Sequence, residues 1–338
     1  LNIVDYQNRL SAFPRVKLLW GPTPIVRADN ISKSTGVEVF IKRDDLSGLA
    51  LGGNKTRKLE FLMGEAVANG HDIVLTAGAV HSNHALQTAA AAKKLGLDAV
   101  LVLRGKAELK GNYLMNKLLD AVIRIYDVPT SGQLSVYMER IAEELREKGR
   151  KPMIIPVGGS NPVGALGYFN AVLEVSRQCA EQNQDFDYVV CPTSSGGTQA
   201  GILLAYKLLN PNVRVLGIGV GDPKEEVVDD VISIAQRTAS ILGVDANIIS
   251  RNDVEKSTVD GYGFGRYGAI DKEVILFIKD VAKKEGLYLD PVYTGKGFYG
   301  LIDLIKNQVI PKGSRVLFMH TGGLGGLFQY EDVIAEYS

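Results

Sequence analysis

VVCPTSSGGTQAG, residues 189–201, reads as an apolar strand that runs into a small-residue turn and then into a helix. The strand portion lacks polar alternation, which suits a strand covered on both faces. Ser195, Gly196, Gly197 and Thr198 make the turn. Small residues let a ligand approach the backbone closely. The N–H groups at a helix start, together with the helix dipole, favour an anion there. No Gly-Lys-Ser/Thr follows, so this is not a Walker A motif. Taken alone, the stretch suits a phosphate cradle and a tight strand-to-helix turn about equally.

The same alternation extends along the chain. Strand-length apolar runs occur at 39–43, 72–78, 99–105, 121–128, 152–158, 187–193, 214–220 and 315–323. Helical patterns occupy 55–70, 84–96, 135–149, 165–182, 197–209 and 271–286. Strands alternating with helices predict an α/β fold with open, mostly parallel twisted sheets flanked by helices. Two glycine-rich stretches, LSGLALGGN (46–54) and PVGGSNPVGALG (156–167), mark the best boundaries. They suggest a small domain, 55–163, inserted into a larger one made of 1–54 and 164–338.

The 338 residues carry 38 Lys plus Arg and 38 Asp plus Glu, a net charge of zero. That balance gives no reason to expect nucleic acid or an anionic membrane as partner. No apolar run approaches a bilayer-spanning length. LNIVDYQNRLSAF, the first thirteen residues, is too polar for a secretory signal core. Cys179 and Cys191 show no metal-ligand spacing, so two reduced thiols, a cytoplasmic location and no metal are expected. GIGVG (217–221) lacks the full dinucleotide fingerprint, which weighs against a nucleotide-binding oxidoreductase.

Three further stretches carry chemistry. In LGGNKTRKLEF (51–61), Lys55 falls in the first turn of a helix, where the dipole disfavours a cation. Lys58 lies one turn on, on the same face, and a lysine beside other cations has a depressed pKa and becomes a nucleophile. A solvated basic helix start is the commoner reading of such a run. In AGAVHSNHALQ (77–87), Ser82 or Asn83 can cap a helix whose N–H groups could receive a carboxylate. In DPVYTGKGFYGL (290–301) and MHTGGLGG (319–326), Tyr293, Thr294, His320 and Thr321 fall in loops near strand ends. A helix-start lysine, a phosphate cradle and a carboxylate-ready loop are the parts that pyridoxal phosphate chemistry needs.

LGGNKTRKLEFL, SNHA, SSGGTQAG and DPVYTGK together give the chain its resemblance to a known family. It resembles the fold type II, tryptophan-synthase-β-like pyridoxal-phosphate enzymes. More narrowly it resembles the 1-aminocyclopropane-1-carboxylate deaminase / D-cysteine desulfhydrase family, over nearly the whole chain. The resemblance implies that Lys55 links covalently to pyridoxal 5'-phosphate and that Asn83 bonds the cofactor's phenolic oxygen. It assigns Ser195, Gly196, Gly197, Thr198 and Lys58 to the phosphate. It makes Ser82, Asn83 and His84 the loop receiving the substrate carboxylate. Tyr293, and Tyr267 in RYGAI, match tyrosines over the reacting centre. A homodimer acting on a small amino acid is implied as well.

Two positions depart from the ring-opening deaminases, which carry Glu after the active-site Tyr and Leu after the His. Here these positions are Thr294 and Thr321. Hydroxyl residues there resemble the D-cysteine desulfhydrase pattern, with Thr321 expected at the pyridine nitrogen and Thr294 near the substrate. A hydroxyl only hydrogen-bonds the ring nitrogen, which makes a weaker electron sink than a carboxylate does. β-Elimination, with its leaving group on the adjacent carbon, needs less of one. The expected reaction is a carbon–sulfur lyase reaction on D-cysteine, giving pyruvate, hydrogen sulfide and ammonia. Deamination of 1-aminocyclopropane-1-carboxylate, L-cysteate sulfo-lyase activity and D-serine or β-substituted alanine lyase activity share the same parts. A non-catalytic cofactor-binding protein would not need the tyrosines.

Overall fold

The computed structural model describes residues 2–265 and 267–337. Ten strands occur in chain order: β1 (Ile25–Arg27), β2 (Glu38–Lys42), β3 (Ile73–Ala79), β4 (Asp98–Arg104), β5 (Val122–Tyr126), β6 (Pro152–Ile154), β7 (Tyr188–Thr193), β8 (Arg214–Gly219), β9 (Thr258–Val259) and β10 (Arg315–Met319). They form two sheets. The larger has the order β1-β2-β10-β7-β8-β9 and the smaller β5-β4-β3-β6. Only β1, paired with β2, runs antiparallel. All pairs of the smaller sheet are parallel.

Helices cover both faces of each sheet, and this is why β7 is buried at all six positions. One face of the larger sheet packs Phe169, Leu204 and Val231, from three long helices, into a single core. The other face packs Ile278, Phe298 and Leu301 against Phe318. In the smaller sheet, the helices Lys55–Ala68 and Asn83–Lys94 cover one face and Ser135–Glu147 the other.

A buried ionic network ties the first turn of the Lys55–Ala68 helix to the larger sheet. Arg57, 1% exposed, contacts Asp44 at 2.8 Å and Glu174 at 2.9 Å. Lys42 Nζ reaches Glu174 at 2.6 Å, and the Tyr168 hydroxyl donates to Asp44 at 2.6 Å. Burial pushes the Asp44 and Glu174 carboxyls up. The charge and hydrogen bonds of Arg57 outweigh it and hold both below the usual carboxylate range. Two cations and two anions therefore balance inside the protein.

The lysine loop is also joined to the end of β10. Gly53 and Gly322 form an antiparallel bridge, and the Asn54 amide donates to the Thr321 carbonyl at 3.0 Å. Gly53 has φ +125°, and a Cβ there would lie 2.8 Å from the Thr321 oxygen. Both the backbone angle and the close approach require glycine.

Candidate active site

The carboxyl ends of β3, β7 and β10 lead into the residues that the sequence singles out. In open α/β sheets this edge is where ligands bind. Lys55 begins its helix directly after the Gly53 bridge. Its Nζ donates to the Gly158 carbonyl at 3.3 Å, and Lys58 Nζ donates to the same oxygen at 3.1 Å. Two amines thus share one acceptor. Burial pushes the Lys55 amine down to about 8. Lys58 is held well below the lysine range, by burial first and the charge of Lys55 second. A neutral, nucleophilic amine is therefore accessible near physiological pH.

The glycine turn after β7 faces this pair. Gly196 caps the helix Gly197–Leu209 with φ +77°, which leaves the first helical N–H groups facing outward. The Ser160 hydroxyl lies 2.7 Å from Ser195 Oγ, 3.1 Å from Lys58 Nζ and 3.3 Å from the Gly197 amide, which donates to it. A Cβ on Gly197 would lie 2.8 Å from Ser160 Oγ and 2.9 Å from Lys58 Nζ. Asn54 Nδ2 donates to Thr198 Oγ1 at 3.0 Å. Backbone amides, hydroxyls and a lysine amine meeting where no side chain fits is a donor set suited to a phosphate. Ser160 is absent from the residues that the sequence singles out. Its signal is its place in the GGS turn of a stretch read as a domain boundary.

The loop after β3 supplies the next groups. Ser82 caps the helix Asn83–Lys94, accepting from the Ala85 amide at 3.1 Å. Asn83 is half-buried, and its Oδ1 accepts from Asn112 Nδ2 at 2.7 Å. The His84 side chain turns inward, which leaves only its main chain at the loop expected to receive a carboxylate. It is 2% exposed, lies 2.9 Å from Thr76 Oγ1 through Nε2, and its ring backs onto Gly159. The reason is helical geometry: His84 follows Asn83 in the first turn and faces the sheet. Burial, then Lys55 and Lys58, keep its ring neutral. His81 is pushed down to about 4 by burial, so it too is neutral.

Tyr267 and Tyr293, 26 positions apart, are hydrogen-bonded through their hydroxyls, with rings edge-on at a centroid distance of 5.8 Å. Burial pushes Tyr267 up to about 12 and Tyr293 well above the ordinary phenol. Both remain proton donors at neutral pH. Tyr293 precedes the helix Thr294–Lys306, where Asp290 accepts from the amides of Val292, Tyr293 and Thr294 at 2.8–2.9 Å. Thr294 is fully buried and its hydroxyl is bonded to Asp290, so it stands behind Tyr293 rather than open to a substrate. The Thr321 hydroxyl has no hydrogen-bond partner among the described residues.

Hydrogen bonds join the lysine turn, the Gly158–Ser160 turn and the Ser195–Thr198 turn, and the Thr294 hydroxyl behind Tyr293 lies 3.5 Å from the Gly322 carbonyl at the end of β10, which bridges to Gly53. No group of His, Cys, Asp and Glu suited to a metal ion occurs among the described residues. Nor is any helix there long and apolar enough to cross a membrane.

Comparison with known proteins bears on the same cofactor. The family described as "Pyridoxal-phosphate dependent enzyme" matches residues 16–322. A Pyrococcus furiosus protein, provisionally named as a 1-aminocyclopropane-1-carboxylate deaminase, is 48% identical over 98% of both chains. A D-cysteine desulfhydrase of Yersinia enterocolitica is 39% identical, over 96% of this chain and 98% of its own. The crystal structure of an ACC deaminase homologue, 48% identical, superposes with a TM-score of 0.92 over 99% of both chains. A threonine deaminase of Solanum lycopersicum shares the fold at 18% identity, with a TM-score of 0.68 over 99% of this chain and 88% of its own. A match of this length, on a chain whose lysine and anion cradle suit the cofactor, places the protein among the pyridoxal-phosphate-dependent enzymes of fold type II, in the branch of the deaminases and desulfhydrases.

Proposed function

We propose that the protein is a D-cysteine desulfhydrase, converting D-cysteine and water to pyruvate, hydrogen sulfide and ammonia. The observation that carries this reading is the pair of threonines. Thr321 keeps its hydroxyl free, and Thr294, where ring-opening enzymes carry a carboxylate, is bonded to Asp290. A neutral hydroxyl suits elimination better than ring opening. The 38–40% identity to desulfhydrases supports the reading.

When bound, pyridoxal phosphate supplies an aldehyde for the amino group and a ring that takes up the charge left at Cα. Ser195, Gly196, Gly197, Thr198, Lys58 and Ser160 would hold its phosphate. Asn83 would bond its ring oxygen, Thr321 its ring nitrogen, and Lys55 would carry the covalent link. Lys55, whose amine burial lowers to about 8, would be the group that accepts the proton from Cα. Ser82 and the Asn83 amide clamp the carboxylate and so decide which Cα–H faces Lys55. The hydrogen-bonded phenols of Tyr293 and Tyr267 deliver a proton to the departing sulfur.

The test is sulfide release by the cofactor-loaded protein from D-cysteine, with L-cysteine as the paired control. Release from the D form alone supports the reading. Its absence, with ammonia formed from 1-aminocyclopropane-1-carboxylate, would establish the second reading, which the 48% identity to provisionally named deaminases favours. The free thiols Cys179 and Cys191 suit a cytoplasmic enzyme. The exposed Trp20, Leu46 and Leu51 offer apolar surface for a homodimer, which sedimentation measures.

A further inference from the structure

Asn112 lies in the first turn of the helix Gly111–Leu118 and is completely buried. Its Nδ2 donates to the His81 carbonyl at 2.7 Å and to Asn83 Oδ1 at 2.7 Å. A carbonyl oxygen only accepts, so the end of Asn112 facing His81 is its NH2. The second N–H of that group then points at Asn83 and requires an oxygen there. Asn83 therefore turns its own NH2 away from Asn112. That NH2 has no hydrogen-bond partner among the described residues.

The far end of Asn112 is an anomaly. Its Oδ1 is buried with no partner. A Cβ on Gly325 would lie 1.9 Å from that oxygen, so the segment Leu324–Leu327 seals it from water. An orphaned buried acceptor is destabilising, and a leucine would avoid the loss. Leucine would not orient Asn83.

We propose that Asn112 is a positioning residue that fixes the amide of Asn83 with its donor end toward the cofactor's ring oxygen. This rests on the assignment of Asn83 to that oxygen under Proposed function. Asn112 acts through Asn83: it removes the alternative in which the Asn83 carbonyl opposes the ring oxygen. The loop 81–83 is held by the same two bonds, so the amide's orientation and the loop's position are set together.

The test is the isosteric Asn112→Asp, which accepts where asparagine donates and so draws the Asn83 NH2 toward residue 112. Apoprotein is titrated with pyridoxal phosphate and with 3-deoxypyridoxal phosphate, which lacks the ring oxygen. The apparent Kd for pyridoxal phosphate is expected to rise about tenfold, with a displaced visible band, while the Kd for the 3-deoxy analogue is unchanged. Asn112→Ala, which removes the donors without adding charge, should give the same selectivity with about a threefold effect, and stands in if the aspartate variant does not fold. Equal losses for both ligands would mean that Asn112 only packs, and would overturn the proposal. So would unchanged binding of both in the Asn112 variants while Asn83→Ala weakens pyridoxal phosphate alone. If Asn83→Ala leaves both ligands unaffected, the assignment of Asn83 itself fails, a result distinct from the other two.

Discussion

Thr294 and Asp290 close on each other: the Thr294 hydroxyl donates to Asp290 Oδ1 at 2.7 Å and accepts from the Asp290 amide at 2.9 Å. With both capacities engaged, this hydroxyl belongs to the turn that presents Tyr293. The Thr321 hydroxyl is the one left for the cofactor. Thr294→Val should therefore cost about 1–3 kcal/mol of stability and leave the cofactor's absorption band in place. Thr321→Val should displace the band and lower kcat about tenfold with little change in melting. Denaturant unfolding and visible spectra of the two variants separate the roles.

Lys55→Ala removes the amine proposed to carry the covalent link. Borohydride reduction followed by mass measurement should find no cofactor on the variant, and turnover should fall by about a thousandfold or more. Retention of full activity would dispose of the scheme.

The low pKa of Lys55 makes capture of pyridoxal phosphate dependent on pH. Only the unprotonated amine attacks the aldehyde, and its fraction grows as pH rises. The rate of covalent capture by apoprotein should climb through a midpoint near 8 and level off above it. A midpoint near the ordinary lysine value of 10.5 would contradict the burial of this amine.

Ser160 meets a serine hydroxyl, a lysine and a backbone amide of the anion cradle. Ser160→Ala should weaken pyridoxal phosphate about fivefold and leave pyridoxal, which has no phosphate, unaffected. Equal weakening of both ligands in fluorescence titrations would remove Ser160 from the phosphate site.

Arg57→Met leaves Asp44 and Glu174 buried without their shared partner. The expected loss is about 3–5 kcal/mol, read from urea unfolding of the holoenzyme. The pH dependence follows from the same contacts. Folded-state values below the unfolded ones give stability that is present above the ordinary carboxylate range and lost as pH falls through the lowered values.

All eight strand-length runs appear as strands, because apolar runs bounded by glycine and polar turns carry a strong local signal. β1 and β9 have only three and two residues, too few for any period to show. The helix Lys224–Ile241 is missing from the sequence reading because its first turn is acidic and its apolar residues are interrupted, although Val227, Val231 and Ile234 do fall on one face. Lys55 at a helix start and the strand-to-helix turn at Ser195–Thr198 fall where the sequence reading puts them, because their neighbours along the chain are also their neighbours in space. Ser160, Asn112 and Asp290 were not legible. Their importance lies in partners 35, 29 and only 4 positions away, and even the last depends on a cap that the letters DPVYT do not announce. His84 follows Asn83 directly, but about 100° of helical rotation turns its side chain inward to Thr76.

The bridge between Gly53 and Gly322 is made of main chain alone. Inheritance can therefore exchange the side chain at position 321 without disturbing the anchorage of Lys55. If Thr321 meets the cofactor ring as proposed, a different residue there would change the electronic demand on the cofactor while the Lys55 backbone keeps its station. One scaffold could in this way serve both the breaking of a carbon–sulfur bond and the opening of a carbon ring, with the glycine pair fixed by an approach so close that a Cβ on Gly322 would lie 2.6 Å from Gly53 Cα.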